Sequence, residues 1–259
     1  LAVLLLAAPA WAQPLPDAPP LVRAPEFVQE GPAVARGALV WLHGAYDSRT
    51  MAPPPAVDWV GRMAARHLDV WRYNRISGQD GLAPGAAGLE RGLKALRAAG
   101  YRRIIVAGFS RGGWIALTAL HHPGLADAIV ALSPAAHGTS AEKQAQAMTA
   151  WEALFQQAVP GAPRIVLVQL RDDPFDPDPK RRQDIARAAS LRAGFRMLPI
   201  LLPDQPRGHL QNLARRNRAP VGQRQCRVVV RQIVSTEQRA HQVGSFIRDA
   251  INLEQGAQR

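Results

Sequence analysis

Cysteine is nearly missing from this chain: Cys226 stands alone among 259 residues. A single thiol excludes an internal disulfide and any multi-cysteine zinc cluster. Lysine is almost as scarce, with three residues against 29 arginines. Arginine suits phosphate contact, but it is also abundant in proteins from GC-rich genomes, so the formal charge of +12 does not by itself name a partner. Beyond the N-terminus no apolar run reaches transmembrane length without charges. No H-E-x-x-H, no G-x-x-x-x-G-K-S/T and no early G-x-G-x-x-G occurs, so neither a metal site nor a phosphate-cradling turn has motif support. Hydrophobic residues, at 47%, are ample, and that excludes intrinsic disorder. A chain of this length fits one α/β domain.

The first ten residues are almost wholly apolar, and Ala10 and Ala12 form an A-x-A pair before Gln13. Such a stretch is too short to cross a bilayer, which needs about 20 residues, and it reads as residues 1–12 of a signal peptide cut after Ala12. The chain starts at Leu1 without Met or a basic region, so the beginning of the signal is expected to be missing. A periplasmic or secreted bacterial protein follows. Residues 13–32, with Pro14, Pro16, Pro19 and Pro20, read as a proline-rich leader.

From residue 33 onward, short apolar runs alternate with amphipathic stretches in the βαβα rhythm of a mostly parallel sheet flanked by helices. Strands are expected at 38–42, 68–73, 103–107, 128–132, 164–170 and 195–202. Leu89, Leu93 and Leu96 mark a helix stopped by Gly100, a second helix runs from Trp114 through Leu120, and a third lies within 141–158.

The third strand enters Gly108-Phe109-Ser110-Arg111-Gly112-Gly113 and passes straight into a helix. G-x-S-x-G between a buried strand and a helix is a nucleophile elbow: a sharp turn lifts the serine hydroxyl clear, and only small residues two positions either side allow it. A serine hydroxyl needs a general base and a group that orients the base. In this architecture the order is Ser, acid, His. The acid is expected after the next-but-one strand, where Asp172, Asp173 and Asp176 compete; Asp173 is placed first, Asp176 second and Asp172 third. The base is expected at His209, just past the last strand. Ser110 and Asp173 lie 63 residues apart and Asp173 and His209 lie 36 apart, so each gap holds about one βα step and all three can meet at the carboxyl edge of the sheet. Two backbone donors would complete an oxyanion hole: Arg111, after the nucleophile, and Ala45, past His43-Gly44 at the end of the first strand, with Tyr46 the neighbouring candidate. His43 is read as structural.

These features together resemble the α/β-hydrolase superfamily, nearest its dienelactone-hydrolase-like and small serine esterase branches. The match spans residues 33–209 and rests on His43-Gly44, the elbow, an Asp after a late strand, and Gly208-His209. Dienelactone hydrolases carry a cysteine nucleophile, and this elbow carries Ser110. The resemblance implies cofactor-free hydrolysis of an ester or thioester.

Tyr46 and Trp114 are expected to bind substrate, with Asp47 and Arg75 as further lining; Arg75 would clamp a loop by pairing with Asp47. Only about 30 residues separate the fourth and fifth strands, which leaves a minimal lid over a small-molecule ester. A monomer without nucleic-acid partner or membrane span is expected. A peptidase or acyltransferase on the same triad is the first alternative. A non-catalytic basic domain that binds nucleic acid or an anionic polymer ranks below it, because the basic residues are scattered. Charge is uneven: residues 207–259 hold 10 basic and 3 acidic groups, a net of +7, against 22 and 17, a net of +5, in the rest. Residues 210–259 therefore read as a basic segment, a divergent or frame-shifted tail in place of the family's final helix.

Overall fold

A computed structural model of the chain describes residues 21–45, 58–75, 81–170, 173–176 and 178–202. The expectations for residues 1–20, Tyr46, Asp47, Asp172, His209 and the basic tail lie outside these residues. Among the described residues seven strands form one sheet in the order β1-β3-β2-β4-β5-β6-β7. They are β1 (Leu21–Arg23), β2 (Gly37–Leu42), β3 (Leu68–Tyr73), β4 (Ile104–Phe109), β5 (Ala128–Leu132), β6 (Arg164–Leu170) and β7 (Met197–Leu202). Every pairing is parallel except β1 with β3. All residues of β2, β4 and β5 are buried, as continuous apolar runs require of central strands covered on both faces.

The helices are α1 (Asp58–Ala64), α2 (Leu82–Ala98), α3 (Arg111–Leu117), α4 (Ala141–Gln156) and α5 (Pro179–Ala193), with a 3₁₀ turn at Thr118–His121. Residues of α2 to α5 pack with Val40, Leu42, Val106 and Leu167 on one side of the sheet. Val60 of α1 packs with Leu39, Trp41 and Val70 on the other. Helix α2 buries Leu89, Leu93 and Leu96, then stops at Gly100, whose φ of 99° admits the paired bonds Gly100 N–H to Arg97 O (3.0 Å) and Tyr101 N–H to Leu96 O (3.1 Å).

The proline-rich leader needs correction. Residues 21–32 belong to the domain: Leu21 pairs with Tyr73 at the sheet edge, and a Cβ on Gly92 of α2 would collide with the Leu21 side chain. Asp69 fixes the rest of the segment. Its carboxylate, 1% exposed, accepts the N–H groups of Glu30 (2.7 Å) and Gly31 (2.8 Å) and the hydroxyl of Tyr101 (2.5 Å). Burial, then the bond to Asp69, pushes the Tyr101 phenol well above its ordinary value, so it stays a donor. Asp69→Ala strands three donors, two of them buried, and a stability loss of about 3 kcal/mol is expected, read as a lower urea midpoint at unchanged slope.

From β2 the chain moves to β3 on one side and then returns to β4 on the other. In open α/β sheets the crevice at the carboxyl ends of such a strand pair is where ligands bind.

Candidate active site

That crevice holds the elbow. Leu42 of β2 is in register with Gly108 of β4, so His43-Gly44-Ala45 and Phe109-Ser110 leave the sheet side by side. Ser110 sits at φ 52°, ψ −120°, a conformation that costs a non-glycine residue about 1–3 kcal/mol and that turns the strand sharply into α3. Backbone hydrogen bonds hold it there. Its N–H donates to Leu132 O (2.9 Å), and its carbonyl accepts from Trp114 N–H (3.0 Å) and Ala135 N–H (3.1 Å).

The two flanking glycines are required by close approach. A Cβ on Gly108 would strike the backbone of Gly112 and Gly113, and one on Gly112 would strike the carbonyls of Leu42 and His43. Gly112→Ala is therefore expected to force the His43-Gly44 turn away from the nucleophile. The expected cost is about 3 kcal/mol, a fall in Tm of roughly 6–12 °C by calorimetry.

Gly44 lies against the nucleophile: a Cβ there would stand 3.5 Å from Ser110 Cβ and 3.3 Å from the Phe109 ring. The turn is locked by His43 and Arg75. His43 is 4% exposed, places Nδ1 2.7 Å from Gly44 O and accepts the Arg75 backbone N–H at Nε2 (3.2 Å). These partners fit the neutral imidazole with its proton on Nδ1. The Arg75 guanidinium donates to the carbonyls of His43 (2.6 Å) and Gly44 (2.8 Å). Arg75 is thus a loop clamp that grips backbone carbonyls among the described residues; its expected pairing with Asp47 lies outside them. At 1% exposure it does not line a pocket. Ala45, exposed, ends the described part of this turn.

Trp114 also needs correction. Four residues past Ser110 it faces inward, 3% exposed, with its ring 5.3 Å from that of Trp151 and 6.0 Å from that of His137. It packs in the core behind the elbow.

The acidic turn after β6 separates its two described carboxylates. Asp173, 3% exposed, closes a turn on itself: Oδ1 accepts Phe175 N–H (2.9 Å) and its carbonyl accepts Asp176 N–H (2.9 Å). Asp176, 2% exposed, is engaged elsewhere. Gln169 Nε2 donates to Oδ2 (2.6 Å), and Arg182 Nε stands 3.3 Å from Oδ1, an ion contact outside hydrogen-bond alignment. Burial pushes the Asp176 carboxyl up to about 6, against the pull of Arg182 and of the Gln169 bond.

Sequence reasoning missed three residues of this region. Arg182, 0% exposed, lies in a helix without an apolar stripe to announce it. Ser133 carries a φ of 40° at 1% exposure just past β5, and nothing in its neighbours signals that. His137 packs its ring edge-on against Trp114; burial first, then Lys143, Arg182 and Arg111, disfavours its protonation. Among the described residues no group of three or more His, Cys, Asp or Glu is placed to hold a metal ion, and no helix is long and apolar enough to cross a membrane.

No family model and no curated protein matches the chain. Solved structures do. A propionate-bound thermophilic esterase from the planctomycete Thermogutta terrifontis is 15% identical, with a TM-score of 0.51 over 83% of this chain and 88% of that one. A puromycin-hydrolyzing peptidase from Mycobacterium tuberculosis is 15% identical, with a TM-score of 0.54 over 73% of this chain and 34% of that one. Dipeptidyl peptidase 4 from Porphyromonas gingivalis is 14% identical, with a TM-score of 0.52 over 73% and 30%. The chain thus spans about a third of either peptidase. At this identity the likeness speaks for architecture, and it agrees with the strand order, the antiparallel edge strand and the strained serine at the crossover: the chain has the α/β-hydrolase fold.

Proposed function

We propose that the protein is a serine hydrolase that cleaves a carboxylic ester or thioester through an acyl-enzyme on Ser110. The observation that carries this reading is the backbone of Ser110, held at positive φ between glycines that admit no Cβ, at the crevice where the strand order reverses. Strain of this kind persists where the surrounding structure imposes it, and here it presents a hydroxyl. In the proposed mechanism Ser110 Oγ attacks the acyl carbon while His209 takes its proton. The N–H groups of Ala45 and Arg111 stabilise the oxyanion, and His209 returns the proton to the departing alcohol or thiol. Water, activated by the same histidine, then releases the acid. Asp173 orients His209. The engagement of Asp176 with Gln169 and Arg182 supports that choice.

Peptide hydrolysis on the same triad is the second reading, favoured by the two peptidases of like fold. Residues 1–12 support export to the periplasm, and a monomer is the proposed state. The test is labelling of Ser110 by a fluorophosphonate probe, together with turnover of short-chain p-nitrophenyl esters and of dipeptidyl p-nitroanilides. Labelling with ester turnover supports the reading. Labelling with anilide turnover alone moves it to the peptidase, and no labelling of folded protein removes it.

A further inference from the structure

A buried charge joins the elements that would have to stay aligned. The Arg182 guanidinium is 0% exposed, 5.6 Å from the Trp114 ring centre and 4.9 Å from that of Trp151. Its nitrogens donate to the carbonyls of Pro134 (3.2 Å) and Phe175 (3.4 Å) and meet Asp176 Oδ1 at 3.3 Å. A charge in this position is costly to desolvate, and buried ion pairs are often matched in stability by apolar residues of similar volume. Stability therefore gives a weak reason for it to be there.

Its partners give a stronger one. Pro134 precedes Ala135, whose N–H bonds the Ser110 carbonyl at 3.1 Å. Trp114, whose ring lies against the guanidinium, bonds that same carbonyl through its N–H at 3.0 Å. Phe175 offers its carbonyl to Arg182 and its N–H to Asp173 Oδ1 at 2.9 Å. Asp176 is tied to β6 through Gln169. One guanidinium thus sits a single residue away from two bonds that hold the nucleophile's backbone and from one that holds the carboxylate of Asp173. We propose that Arg182, with Asp176 as its counter-ion, is a positioning residue that holds the Asp173 turn in register with the Ser110 elbow. The proposal rests on the reading of Ser110 as nucleophile and Asp173 as the triad acid. The guanidinium acts through backbone carbonyls and touches no reacting atom.

The decisive variant is the neutral pair Asp176→Asn with Arg182→Met, which removes both buried charges together. Its Tm is expected within a few degrees of wild type. Its KM is expected to change less than about threefold, while kcat and the fluorophosphonate labelling rate of Ser110 both fall between about 10- and 100-fold, as a displacement near 1 Å produces. Arg182→Lys keeps the charge but loses the fork that spans two carbonyls, and should recover only part of the rate. Wild-type kcat and labelling in the neutral pair would leave Arg182 a packing residue and overturn the proposal. If that pair does not fold, Arg182→Lys decides alone: wild-type rate with wild-type Tm overturns the proposal, and a lowered kcat at unchanged KM supports it. Loss in Asp176→Asn as deep as in Ser110→Ala, with Asp173→Asn still active, also overturns it, because Asp176 would then be the acid. Failure of wild type to label or turn over is a separate result, which removes the hydrolase reading and this one with it.

Discussion

Ser110→Ala is expected to lower ester turnover by about 10⁵-fold or more and to abolish fluorophosphonate labelling, while leaving the fold intact. The size follows from the chemistry: without Oγ there is no acyl-enzyme, and any remaining rate comes from binding and oxyanion stabilisation acting on water. The intact fold follows from how the residue is held. The bonds to Leu132, Trp114 and Ala135 use its backbone atoms, so the substitution keeps them. Alanine keeps the Cβ and therefore the cost of φ 52°. Ser110→Gly removes that cost and should raise Tm by a few degrees above Ser110→Ala while being equally inactive. A strained serine whose removal stabilises the protein is serving something other than stability. Retention of more than about 1% of wild-type turnover in Ser110→Ala, measured on protein purified from a host without background esterase, would place the nucleophile elsewhere.

The sequence revealed the central sheet because its signal is local. β3, β5 and β6 have the expected bounds, and β2 begins one residue earlier, at Gly37, since runs of valine, isoleucine and leucine buried on both faces read directly. The elbow was legible for the same reason, as a strand, a five-residue turn and a helix in succession. Elements without an apolar signature were not. β1 is three residues long with Val22 40% exposed, too short for a period to register. α5 turns alanines inward, Ala186, Ala189 and Ala193, so its polar composition conceals it and no helix is expected there; its ends, Asp178-Pro179 as cap and first turn and Gly194, at φ 71°, as stop, hold the signal that could have marked it. The carbonyl contacts of the clamps were the least legible. Arg75 is expected to clamp a loop, yet it and Arg182 act on carbonyl oxygens, which every residue carries, and no side-chain pattern marks which carbonyl an arginine will find.

Asp173→Asn is expected to lower kcat by about 10³- to 10⁴-fold with KM changed only a few-fold, and Asp176→Asn to lower it by no more than about 100-fold. The asymmetry follows from what each carboxylate holds. In the proposed triad Asp173 accepts a hydrogen bond from a ring N–H of His209, fixes the tautomer that leaves the other nitrogen as a base, and stabilises the imidazolium formed during attack. An amide there can present its NH₂ to the ring and hold the wrong tautomer. Geometry would survive, since Phe175 N–H can still find the amide oxygen at the place of Oδ1, so the loss is expected in the chemical step. Asp176 has its oxygens directed at Gln169 and Arg182, so its loss would loosen the turn without changing the proton inventory of the triad. The two variants therefore differ in kind: one removes a charge opposite the base, the other relaxes a support. Steady-state kinetics on p-nitrophenyl butyrate, with Tm measured for each variant, reads the difference. The reverse order, with Asp176→Asn the more damaged at equal stability, would make Asp176 the acid and turn the Gln169 and Arg182 contacts into its orienting partners.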